Sequence, residues 1–139
     1  MANQPSIIEF SEDVASAVAP EPLPAGDYVA SIKHAEVRVS NNSGNKYLSL
    51  QCYIEPSQYP ADYTDGNPDG TVLSYNRVVL EDTPANRWRL KKLMEALGLQ
   101  PSRQLDVTAF IGLGCIVTVK NSMYEGEDRA EVANIKGTD

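Results

Sequence analysis

With 139 residues and 42% apolar content, the chain has material for one domain around a single small core. Its balance is acidic, 12 basic residues against 19 acidic ones for a net charge of −7, which argues against coating duplex DNA by charge alone, since phosphate neutralisation needs Lys and Arg. The charges are segregated. The first 22 residues hold Glu9, Glu12, Asp13 and Glu21 and no base, while Pro84 to Leu97 carries Arg87, Arg89, Lys91 and Lys92 against Glu95 alone.

Residues 1–22 end in Ala19-Pro20-Glu21-Pro22, with Pro24 just beyond. Acidic, bounded by proline and poor in aromatics, they are expected to form an arm outside the domain. Ile7, Ile8, Phe10, Val14 and Val18 give that arm apolar anchors for a partner. A secretory leader would need a basic start and an unbroken apolar run. The arm has neither, and no stretch approaches a membrane span. The expectation is an intracellular protein. Cys52 and Cys115 are then expected as buried free thiols.

The domain, residues 23–139, opens with the turn Leu23-Pro24-Ala25-Gly26-Asp27. A long strand from Tyr28 to Val39 follows. Its apolar phase changes near His34, which predicts a bulge of the kind that bends a strand around a barrel. Ser40 to Asn45 has hairpin-loop composition. In the next strand Leu48, Leu50, Cys52 and Ile54 alternate with Tyr47, Ser49, Gln51 and Tyr53. A loop from Pro56 to Gly70 leads to a third strand, Thr71 to Leu80. One face there holds Leu73, Tyr75, Arg77 and Val79, the other Val72, Ser74, Asn76 and Val78, and alternation alone does not say which is inward.

The stretch Asp82 to Leu99 is the helix. Asp82 or Thr83 caps it, Pro84 suits its first turn, and Gly98 closes it. Leu90, Leu93, Met94 and Leu97 form one apolar stripe. After a linker through Pro101 come a strand from Gly114 to Lys120, a turn-rich segment from Asn121 to Asp128, and a last strand from Arg129 to Lys136. The whole predicts a mainly β fold: a five-stranded OB-fold-like Greek-key barrel with one helix between strands 3 and 4. A small α+β sheet with the helix on one face is the competing arrangement.

Four segments then stand in a familiar order: Leu23-Pro24-Ala25-Gly26-Asp27-Tyr28, Ser43-Gly44-Asn45, Leu93-Met94-Glu95-Ala96-Leu97-Gly98-Leu99 and Tyr124-Glu125-Gly126. In this the chain resembles a family of small bacteriophage OB-fold single-stranded DNA-binding or replication-associated proteins, over about residues 23–136. The resemblance implies the barrel and binding of single-stranded DNA, and with them a place in the host cytoplasm or, alternatively, the virion; phage replication or recombination proteins and a second copy of the chain are the further candidate partners. Many phage and bacterial single-stranded DNA-binding proteins end in an acidic tail. This chain ends Ile135-Lys136-Gly137-Thr138-Asp139, and its acidic segment lies at the other terminus.

Sequence-tolerant binding of a single strand takes aromatic faces for bases and cations along the phosphates. Lys46, Tyr47, Tyr53, Tyr75 and Arg77 are the strand candidates, with Arg38 and Lys120 bordering the groove and Tyr124 closing over it. Trp88, with Arg87, Lys91 and Lys92, lies on the helix away from the apolar stripe. Packing under a loop or the arm, a subunit contact, and an extension of the DNA path are its three readings, in that order. Asp65-Gly66-Asn67-Pro68-Asp69-Gly70 copies half a calcium loop, but its twelfth position is Asn76 and no helix precedes it, so no metal is expected. Neither the lone His34 nor Gly112-Leu113-Gly114 completes a catalytic or dinucleotide motif. The expectation is a binding protein, not an enzyme, without cofactor; the alternative is a virion decoration or assembly protein using the same barrel.

Overall fold

A computed structural model describes residues 6–138. In chain order it contains β1 (Gly26–Val39), β2 (Lys46–Ile54), β3 (Thr71–Val79), α1 (Pro84–Ala96), β4 (Gly114–Tyr124) and β5 (Glu127–Lys136), with three short 3-10 turns. The strands form one open antiparallel sheet in the order β3-β2-β1-β4-β5.

The sheet curls until its outer strands face each other. Arg77 of β3 and Glu131 of β5 approach to 3.8 Å, yet β3 and β5 share no ladder among the described residues. Each carries a register shift near this seam. Ser49 faces the extra residue of β3 between Leu48↔Val78 and Leu50↔Tyr75, and Ala133 is extra in β5 between Thr118↔Asn134 and Val119↔Val132. Bulges twist an edge away from ladder geometry. Where the sequence predicts a closed barrel, the hydrogen bonding stops at this seam.

Lys33 is the extra residue of β1, between Ile32↔Cys52 and His34↔Gln51, where the phase change predicts it. There β1 leaves β4 and bonds instead to the preceding segment: Ile32 N–H donates to the Leu113 carbonyl at 2.9 Å and Gly112 N–H to the Ile32 carbonyl at 2.7 Å. The core is built from Leu48, Leu50, Cys52 and Ile54 of β2, Cys115, Val117 and Val119 of β4, and Leu93 and Met94 of α1. Phe110, in a 3-10 turn after the linker, is fully buried among them. Cys52 and Cys115 are free and in contact across β1, and the Cys115 sulfur together with burial pushes the Cys52 thiol up.

Thr83 caps α1 by accepting from Asn86 N–H at 3.2 Å, and Pro84 occupies the first turn. Gly98, at φ +79°, closes the helix: its N–H donates to the Glu95 carbonyl and that of Leu99 to the Met94 carbonyl. The turn-rich segment expected at 121–128 is shorter than its composition suggests. β4 and β5 run to Tyr124 and Glu127, and Glu125 (φ 51°) with Gly126 (φ 82°) makes a two-residue turn with both centres left-handed.

At the opposite side, Asn121 clips the chain start to β4. Its amide donates to the Leu23 carbonyl at 2.8 Å and accepts from Ala25 N–H at 3.1 Å. Leu23 is buried, whereas residues 6–20 are exposed throughout. Within the arm, Asp13 caps a 3-10 turn at Val14–Ser16. Glu21 is held by the β2–β3 loop: its N–H donates to Asp65 at 2.7 Å and its carbonyl accepts from Tyr63 at 3.0 Å. Asp65 thus serves the arm's root. Among the described residues no helix is long and apolar enough to cross a membrane.

Candidate nucleic-acid interface

Along α1 the 100° step places Trp88, Arg89 and Lys92 on one flank of the apolar stripe, next to its member Leu93. That flank lies over the seam. Together with Tyr75 and Arg77 of β3 and Asn134 of β5, these residues line a hollow of about 230 Å³. Trp88 is 59% exposed and the Lys92 ammonium lies 5.5 Å from its ring centre. Packing of Trp88 under a loop or the arm is therefore not seen among the described residues, where the side chain keeps most of its surface in water. Open edges of the sheet, not a sealed barrel wall, lie beneath the helix, so the helix patch and β3 border one hollow.

The face of β3 is settled by its bulge. Leu73, Tyr75 and Val78 pair with Cys52, Leu50 and Leu48, so they share the core side, and Tyr75 does not lie beside Arg77 on one outward face. Its ring is partly buried against the core. Burial pushes the Tyr75 phenol up, partly offset by the Arg77 guanidinium. Arg77 is exposed and meets Glu131, whose ladder partner on β4 is Lys120. A row of alternating charge, Lys120, Glu131 and Arg77, thus crosses the seam.

The remaining candidates fall elsewhere. Lys46 and Tyr47 line a second hollow, of about 480 Å³, under the β1–β2 hairpin with Asn41, Asn45 and Asn76. Asn76 Oδ1 accepts from the buried Ser49 hydroxyl at 2.7 Å. Arg38, the ladder partner of Tyr47, is paired with Glu36. Tyr53 clamps the loop, donating its hydroxyl to the Asp69 carbonyl at 2.8 Å, and any side chain at Gly70 would strike its ring. Tyr124 stands 54% exposed at the β4–β5 tip with Arg129 4.5 Å over its ring. On the far flank of α1, Arg87 pairs with Asp82, and Lys91 is exposed.

The profile of a family described as a protein of unknown function, DUF669, matches residues 10–138. The chain belongs to the DUF669 family. No curated protein matches it. The match takes in every strand of the DUF669 chain, α1, and the arm from Phe10 onward.

Sequence reasoning passes over two groove residues of this DUF669 protein. Arg89 is counted in the helix charge but not placed, although its position next to Trp88 is the available signal. Asn134 carries none, because its access to the groove depends on the bulge at Ala133. Lys33 is a third omission: the bulge turns it over the Tyr53 ring, 5.2 Å from its centre.

Proposed function

We propose that this protein binds single-stranded DNA through the seam groove, tolerantly of sequence and without chemistry of its own, in phage replication or recombination. The observation that carries the reading is the convergence of Trp88, Arg89 and Lys92 from α1 with Tyr75 and Arg77 from β3 in one hollow. Aromatic faces accept bases of any kind, and three cations beside them suit the phosphates. The fold supports the same reading. An OB-fold is a partly open five-stranded Greek-key barrel that receives oligonucleotides on its second and third strands and beside its β1–β2 and β4–β5 loops. Here β1 lies between β2 and β4, β3 and β5 face across the seam, and Lys46, Tyr47 and Tyr124 stand beside those two loops.

Trp88 is the single tryptophan, so its fluorescence reports the groove directly. Titration with oligo(dT) at low salt is expected to quench it. Trp88→Ala, followed by anisotropy of a labelled oligonucleotide, is expected to weaken binding by about 5- to 150-fold, the loss of one stacked base at ~1–3 kcal/mol. Neutralising three phosphates gives a log–log salt slope of about −2. Absence of any complex at low salt would remove the proposal. In that event the exposed apolar anchors of the arm favour the virion assembly reading, tested by finding the protein in purified particles at fixed stoichiometry.

A further inference from the structure

We propose that Ser49, too deeply buried to touch DNA, is a positioning residue for the seam groove: its hydroxyl pins Asn76 and so fixes the β3 bulge that delivers Tyr75 and Arg77 there. The role rests on the groove being the site for single-stranded DNA and adds the residue that shapes it. Among the described residues Ser49 is the single buried polar residue, 2% exposed, between the wholly buried Leu48 and Leu50. A hydroxyl taken out of water costs stability unless it is bonded, and this one donates to Asn76 Oδ1 at 2.7 Å. Asn76 itself is exposed, so water can serve its amide in place of Ser49. The bond therefore adds little to global stability. What it fixes is register.

Register is what the residues of β3 leave open. Leu73, Tyr75, Arg77 and Val79 alternate with Val72, Ser74, Asn76 and Val78, and a slip of one residue exchanges the two faces. The bulge divides the strand between them. Leu48 pairs with Val78 and Leu50 with Tyr75, so Ser49 alone faces both Asn76 and Arg77. Continued from Leu48↔Val78 without a bulge, the ladder would set Asn76 opposite Leu50 and Tyr75 opposite Gln51. Tyr75 would then leave the core side and the groove with it. The Ser49 hydroxyl holds Asn76 against β2 where the two registers diverge. Tyr75 and Arg77, the neighbours of Asn76 in the chain, both line the hollow with Trp88.

Urea unfolding, hydrogen exchange and oligo(dT) titration of full-length variants test this together. Ser49→Ala is expected to leave the urea midpoint nearly unchanged, since the buried hydroxyl goes along with its bond. Asn76→Ala leaves that hydroxyl without a partner and lowers the midpoint, and the double variant recovers it. In all three, amide exchange within Thr71–Val79 is expected to quicken about fivefold, the factor for one ordinary hydrogen bond, while β4 and β5 keep the parent rates. Oligo(dT) affinity is expected to fall about fivefold in each single variant and no further in the double. The log–log salt slope becomes shallower by up to ~0.7 as Arg77 leaves the phosphates. A destabilised fold lowers only the active fraction and leaves that slope as it was. Unchanged exchange in β3 overturns the positioning role even where oligo(dT) binds. So do unchanged affinity in a variant with quickened β3 exchange, and affinity losses that add between Ser49→Ala and Asn76→Ala. Quickened exchange confined to β3, with no oligo(dT) complex in the parent protein, keeps the hold of Ser49 on the register and rejects the groove as a DNA site.

Discussion

Arg77 and Glu131 meet 3.8 Å apart across two strands that share no ladder bond among the described residues. Both side chains are about half exposed, and a pair of that kind adds little to stability because water screens it. Its effect falls on the groove. Glu131 offsets one of the three cations that the proposed strand site uses.

Replacing Glu131 by Gln should therefore leave the urea midpoint nearly unchanged, within about 0.5 kcal/mol. Oligo(dT) binding at low salt should tighten about two- to fivefold. The log–log salt slope should steepen by up to ~0.7 as Arg77 gains a full counterion to displace. Titrations at several salt concentrations check both, and a looser complex would contradict the placement of Arg77 at the strand.

Phe110→Ala should cost about 3–5 kcal/mol in denaturant unfolding. The ring is fully buried, and truncating a buried aromatic leaves a cavity that the surroundings fill only in part. Trp88→Ala, by contrast, should move the midpoint by less than about 0.5 kcal/mol, because its ring is mostly in water. Large aromatics of the same chain thus separate into one that holds the fold and one free to hold a ligand.

At the β4–β5 turn, Glu125 occupies a left-handed conformation at φ 51°, which costs an ordinary side chain roughly 1–2 kcal/mol. Glu125→Asn should raise stability by up to about 1 kcal/mol, since asparagine tolerates this region. Thermal melts of the variant check the sign. A lower midpoint would show that the Glu125 side chain has a role the turn geometry does not contain.

Acid should weaken the tie between β1 and its neighbours on one side. Asp27 accepts from the Thr118 hydroxyl at 2.7 Å and from the Lys136 ammonium at 3.1 Å, and these hold its carboxyl below the ordinary aspartate value of 3.8. A lowered pKa means that the native state binds its proton less readily than the unfolded chain. The contribution is therefore present above 3.8 and lost as pH falls through the depressed native value. Asp27→Asn should lower the urea midpoint at pH 7 and flatten its decline on the acid side. Parallel acid limbs in variant and parent would contradict the assignment.

The parts of this structure legible in the sequence are those governed by neighbours in the chain. Thr83, Pro84 and Gly98 delimit α1 because caps are local hydrogen bonds and dihedral preferences. Leu48 to Ile54 shows its buried face because nothing interrupts the alternation. At Lys33 the phase change is written in the apolar residues themselves.

β3 is different. Its bulge faces Ser49 on another strand, and no residue within Thr71–Val79 announces it, so Tyr75 and Arg77 read as sharing one strand face when the bulge puts them in different phases, Tyr75 on the core side. The β4–β5 turn is hidden for a related reason: Glu125-Gly126 lacks the Asn-Gly chemistry that usually marks such a turn. Phe110 sits beyond a linker with no periodicity around it to mark burial. The candidate site is the least legible part, because Trp88 and Tyr75 meet only through the curl of the sheet.

That curl ends at an unbonded margin, and the mode of loading follows from it. A groove floored by the interior of a closed ring would admit a polymer only from an end. A recess bounded by two strands with no ladder between them is accessible along its length, so a ligand without termini enters from the side. On the proposed reading, circular single-stranded DNA is then expected to bind as well as a linear oligomer.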